Sequence, residues 1–147
     1  MAPDLAGWRA AAALSAAASA ASHVAVAVAH AGHDTRYVLF FVAVGSAQLM
    51  LAVLLRQRPH PALVLAAMLG TVALIVAYSA QQLGALPSVG GHHLDAAQVA
   101  ALGVATLVTE LVTLTALPLL VAGRWRSSSL NVALLGGVAL WTMFLVG

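Results

Sequence analysis

Residues 96–121 read AAQVAALGVATLVTELVTLTALPLLV, an apolar run with one charged residue, Glu110, near its middle. At 1.5 Å rise per residue a helix of this length crosses the roughly 30 Å hydrocarbon core of a bilayer. In this frame Glu110 lies about 21 Å from both Asp95 and Arg124, which bracket the run. A soluble helix would carry charge along one whole face; this one carries a single carboxyl at mid-depth.

Working outward, four further apolar runs occupy 10–29, 37–55, 62–83 and 130–146. The segments 32–36, 56–61, 84–95 and 123–129 separate them, with Gly84 followed by Pro87 as a helix stop and Asp95 followed by Gln98 as an N-cap pair. Across the 147 residues, 63% are hydrophobic and only 7% charged. Soluble domains carry roughly 25% charge, so water is not the solvent for most of this chain. The expected fold is all-α: one transmembrane domain over 1–147 with five spans, four of them around a polar centre and a fifth at the C-terminal end. The first run is Ala-rich and weakly apolar. Its alternative reading is a cleaved signal peptide over residues 1–20, with Arg9 as the basic region and Ala18 to Ala20 as the cleavage site. Against that stands an h-region with one leucine, Leu14.

Charge placement sets an expected orientation. Arg9, Arg56, Arg58, Arg124 and Arg126 fall on one side of five alternating spans, and Arg36 on the other. The positive-inside rule then places the N-terminus in the cytoplasm and the C-terminus outside the cell membrane. Trp8, Tyr37, Trp125 and Trp141 lie near span ends, where aromatic belts sit. The formal charge of +2 comes from arginines scattered between spans, with no basic patch, so nucleic acid is not an expected partner. The absence of cysteine removes disulfides, thiolate metal sites and cysteine nucleophiles.

Ionisable side chains inside a bilayer are costly and turn toward the bundle interior. Glu110 is one; His23, roughly 17–21 Å from Arg9 and Asp34, is the other. At 100° per residue, Ser15, Ser19, Ser22, His23, His30 and His33 share one arc of the first run. Asp95, Thr106, Thr109, Glu110 and Thr113 share one arc of the fourth. Thr71, Tyr78 and Gln82 line the third, and Gln48 marks the second, in line with Gly45 and Ala52. The expected buried polar site is therefore His23, Gln48, Thr71, Tyr78, Gln82, Thr106, Thr109, Glu110 and Thr113. Ala11, Ser15 and Ser19, at four-residue spacing, read as small residues for close helix approach.

A second expected cluster lies on the outer side: His30, His33, Asp34, His92, His93 and Asp95. His30 and His33 put two imidazoles on one helical face, a pair suited to a zinc or copper ion if the two loops meet. His60, between Pro59 and Pro61, reads as a loop residue. Phosphate loops, nucleophile elbows and zinc-protease motifs are absent.

Several short motifs resemble small multi-pass membrane proteins of high-GC, actinobacterial-type bacteria. These are His23 or His30; Phe41, Gly45, Gln48 and Leu49; Tyr78, Gly84 and Pro87; and Thr109, Glu110 and Leu111, spread over roughly residues 20 to 122. The chain departs from that pattern in Ala85 and Leu86 before Pro87 and in its Ala-rich first run. The resemblance implies a multi-pass fold and draws attention to these residues without naming a reaction.

Three functions fit this pattern. The first is a binding or accessory role, in which the polar interior holds a metal ion or small ligand, or the bundle docks a partner membrane subunit or a second copy. The second is a small proton- or ion-coupled transporter using Glu110 and His23. The third is a membrane enzyme acting at the outer face, for which no nucleophile–base pair is legible.

Overall fold

The computed structural model describes residues 5–32, 35–57, 59–82 and 96–146, although not every side chain near 82, 96–100 and 139–146. The described residues form an all-helical bundle of five α-helices: α1 (Leu5–Ala29), α2 (Thr35–Gln57), α3 (Pro61–Gln82), α4 (Ala96–Ala116) and α5 (Arg124–Val146). Four of them, the last being α4 extended to Leu120, are long and apolar enough to cross a membrane. The fifth expected span, 130–146, is helical as part of α5. The expected site residues His33, Asp34, His92, His93 and Asp95 lie outside the described residues, as does the Gln82 side chain.

Local chemistry explains the helix ends. The chain leaves α1 through Gly32, whose φ of +87° is a left-handed conformation that glycine adopts without a Cβ penalty. Pro61 occupies the first position of α3, where its missing N–H would have had no helical partner. The next free donor, Ala62 N–H, is accepted by His60 Nδ1 at 3.2 Å. The fourth apolar run does not continue as α-helix to 121. It stops at Ala116 and tightens into a 3₁₀ turn over Leu117–Leu120, because Pro118 has no N–H to donate and its ring crowds the carbonyl four residues back.

Helix α1 is the centre of the bundle, packed along α2 on one side and α4 on another, while α3 packs chiefly on α5. This resolves the weak apolarity of α1. Alanine is a poor lipid-facing residue, but α1 has the largest buried share of the four spans, and its Ala12, Ala13 and Ala16 meet neighbours rather than lipid. They form the apolar core with Leu51 and Leu55 of α2, Val64 and Met68 of α3, and Leu117 of the 3₁₀ turn. All of these lie toward the end of the bundle where α1 begins. The outer surface is the reverse of a soluble protein's: Leu14, Val28, Met50, Leu134 and Leu135 are each more than 60% exposed. Hydrocarbon is the only solvent that suits such a surface.

Glycine sets one helix crossing. A Cβ on Gly45 of α2 would meet the Ala20 carbonyl oxygen of α1 at 3.2 Å and the His23 Cβ at 3.5 Å. A Cβ on Gly70 of α3 would meet open space. Gly45→Leu is thus expected to force α1 and α2 apart, at a cost of about 1–3 kcal/mol. Gly70→Leu should be tolerated. Unfolding free energies of the two variants, titrated with sodium dodecyl sulfate in mixed micelles, check this; equal stability would remove Gly45 as the contact that sets the α1–α2 spacing.

Candidate functional site

The close approach at Gly45 brings one turn of α2 against α1 at the level of His23. Gln48, three residues on, shares that inward face and is 5% exposed. Glu110 of α4 is 2% exposed and reaches the same point from the other side of α1. Its Oε1 is the meeting place. Ser19 Oγ donates to it at 2.7 Å, and Gln48 Nε2 donates to it at 2.7 Å. His23 Nε2 stands 3.6 Å away, too far for a good hydrogen bond but close enough for a charge pair if the imidazole is protonated. Two helices, α1 and α2, therefore bring side chains to one carboxylate oxygen carried by a third, α4.

The other polar atoms are less well served. Glu110 Oε2, Gln48 Oε1 and His23 Nε2 are buried and accept or donate no hydrogen bond. One carboxylate oxygen thus has two strong donors and an imidazole, and the other has none. Buried polar atoms without partners are rare and costly.

One helical turn below, Ser15 and Thr113 share a hydrogen bond of 2.8 Å between α1 and α4. Each hydroxyl also has a carbonyl of its own helix within reach, Ala12 for Ser15 at 3.1 Å and Thr109 for Thr113 at 2.9 Å, so either can be the donor of the shared bond. Beyond this pair Ala12, Ala13, Ala116 and Leu117 pack as an apolar layer across that end of the polar column; past it, toward the start of α1 and of α5, Arg9 Nε and Ser129 Oγ are buried without a partner. Toward the other end the column continues as rings. His23 stacks on Phe41 at 6.0 Å, Phe41 meets His30 at 5.6 Å, and His30 meets Tyr37 at 5.9 Å. The His30 ring is oriented by its Nδ1, which donates to the Val26 carbonyl at 2.8 Å.

The residues expected at the polar site separate into two groups. His23, Gln48 and Glu110 come together, and Thr113 joins α1 one turn away. Thr106 and Thr109 turn their hydroxyls back to carbonyls of their own helix, those of Leu102 and Thr106. The edge of α3 stays apart from the carboxylate. Thr71 is buried and lines a groove between α2 and α3, and the Tyr78 hydroxyl fills the space where Gly103 of α4 lacks a Cβ. Ser19, read from sequence as a close-packing residue, is instead a direct donor to Glu110. Its four-residue spacing from His23 is the signal that places it on the same face.

Among the described residues no three His, Asp or Glu side chains gather as a metal site. Of the expected outer cluster only His30 is described. Comparison with known proteins returns no matching family model, no matching curated protein and no matching solved structure.

The Ser19–Glu110 bond is open to measurement. In a double-mutant cycle, Ser19→Ala and Glu110→Ala should couple by on the order of 1 kcal/mol, within the range for hydrogen bonds between membrane helices. Glu110→Gln should destabilise less than Glu110→Ala, because an amide oxygen still accepts from Ser19 and Gln48. A coupling energy of zero would mean that the bond does not hold α1 to α4.

Proposed function

We propose that this protein is an integral membrane binding protein whose recognition group is the Glu110 carboxylate, seated in the bilayer interior. The observation that carries the reading is the asymmetry of that carboxylate. Oε1 is saturated by donors from α1 and α2, which fix its position, while Oε2 is buried with no partner. A rigidly held acceptor with one open oxygen suits a small species that brings a proton, a single positive charge or an N–H or O–H donor. A tightly bonded structural carboxyl would have both oxygens engaged.

The alternative, proton-coupled transport through Glu110 and His23, needs a polar route from one face of the membrane to the other. The column of polar side chains and rings runs from Tyr37 and His30 through His23 to Glu110 and then Ser15 with Thr113. It ends against close-packed Ala12, Ala13 and Leu117, each at most 3% exposed. A site reached from one end only favours binding over passage. By the arginine bias, the sealed end with the start of α1 faces the cytoplasm, and the ring-lined end faces outward.

A hydrophobic carbodiimide tests whether Glu110 is reached from the apolar phase, and proton flux separates the two readings. Glu110 is the one Glu in the chain. Dicyclohexylcarbodiimide should add once per chain at Glu110, and Glu110→Gln should abolish the adduct. Proteoliposomes should show no proton flux above the lipid background. Flux that vanishes with Glu110→Gln would overturn the binding reading in favour of transport.

Sidedness has its own check, since the chain contains no cysteine. Ala31→Cys should react with a membrane-impermeant maleimide applied to intact cells, and His60→Cys should not. The opposite pattern would invert the proposed topology.

A further inference from the structure

Helices α2 and α3 are neighbours in sequence but do not pack closely, and a groove of about 520 Å³ lies between them. That volume is in the range of small-molecule sites, about 300–1,000 Å³. Its walls are almost wholly aliphatic and aromatic, with Leu74 and Gly70 from α3 and Phe40 and Met50 from α2. Phe40 is 49% and Met50 62% exposed, so the groove opens on the outer surface of the bundle. Two polar side chains line it, Gln48 and Thr71.

Gln48 makes the groove more than a packing gap. Its Nε2 is committed to Glu110 Oε1, which fixes the amide and leaves Oε1 as an acceptor. That oxygen is buried and receives no hydrogen bond. A ligand lying in the groove with an O–H group beside Gln48 would satisfy it once the side chains that cover this oxygen part. Depth narrows the class further. Gln48 sits about 20 Å from the start of α2 and about 14 Å from its end. A phospholipid holds its charged head group at the membrane surface and cannot bring it to this level. The head must be uncharged and weakly polar, and the body must dissolve in hydrocarbon.

We infer that the α2–α3 groove binds an uncharged, membrane-dissolved molecule with a long apolar body and a hydroxyl that donates to Gln48 Oε1. The ligand enters sideways from the lipid, past Phe40 and Met50. This site goes beyond the Glu110 carboxylate: the two share Gln48, which offers its N–H to one and its C=O to the other.

The test is photolabelling of the purified full chain in lipid nanodiscs, using a sixteen-carbon alcohol with a mid-chain diazirine, and its methyl ether as the donor-free control. The alcohol should label α2 and α3 peptides saturably, and the ether should label them about three- to tenfold more weakly, the range of one net hydrogen bond. Gln48→Leu should lower alcohol labelling to the level of the ether. Gly70→Phe, at a position where added side chain meets open space, should fill the groove and abolish labelling while the bundle stays folded. Glu110→Gln should leave labelling within about twofold, which separates this site from the carboxylate reading. Equal labelling by alcohol and ether, insensitive to Gly70→Phe, would overturn the inference and leave only bilayer acyl chains against α2 and α3. Loss of labelling in Glu110→Gln equal to that in Gln48→Leu would overturn the role of Gln48.

Discussion

A carboxyl group carried to mid-membrane is the constraint around which this bundle is arranged. An ionised side chain at the centre of a transmembrane helix costs on the order of 2.5–3.5 kcal/mol even on the lenient insertion scales. The penalty is offset only if donors are brought to it, and a single helix cannot supply them. Glu110 draws Ser19 from α1 and Gln48 from α2, and neither partner reaches it unless the helices lie close. Close approach in turn demands small residues at the crossings. The alanines of α1 and Gly45 of α2 are there because the polar contact needs short side chains around it. In a membrane, where apolar helix faces gain little from burying against each other rather than lipid, such contacts and tight packing are the main sources of specificity.

The same constraint explains why α1 is both the least apolar span and the most interior. Read alone, its alanine and serine content suits lipid poorly. Placed between α2 and α4, those residues become the surface on which two neighbours close. The polar face of α1 runs from Ser15 through Ser19 to His23 and belongs to the site, so the site exists only in a chain that keeps this helix.

Much of this is legible in the sequence because hydrocarbon makes polar residues conspicuous. The lone carboxyl in residues 96–121, His23 on the serine stripe and Gln48 beside Gly45 all follow from counting 100° per residue. What periodicity cannot give is the distance between helices. The polar edge of α3 points inward by the same count as the others, yet Tyr78 packs on Gly103 and Thr71 stays on the α2–α3 side, because α3 pairs mainly with α5. Helical phase names the inward face but not which neighbour it meets. Ser19 was ambiguous for a related reason: a small hydroxyl serves equally as a spacer and as a donor, and only the position of the Glu110 oxygen decides. The end of α4 at Ala116 is a different miss: apolarity carries the run on to 121, and hydropathy does not register that Pro118 interrupts the helical hydrogen bonds inside it.

The polar interior is lopsided, and that lopsidedness bears on what it does. From Glu110 toward the start of α1, the sequence of contacts passes from a carboxyl group to a hydroxyl pair to methyl groups within about two helical turns. In the other direction imidazole and aromatic rings follow one another to the end of the helix. A conducting path would need polar groups on both sides of its central acid, or a core loose enough to admit them. The layer of Ala12, Ala16 and Leu117 at zero exposure resists both, since its side chains offer an inserted water or ion no partner. A site with one polar approach and one sealed wall can hold a ligand against the thermal pull of the solvent on that side. Passage across the membrane would require α1 to part from α2 and α4 at its most closely packed turn.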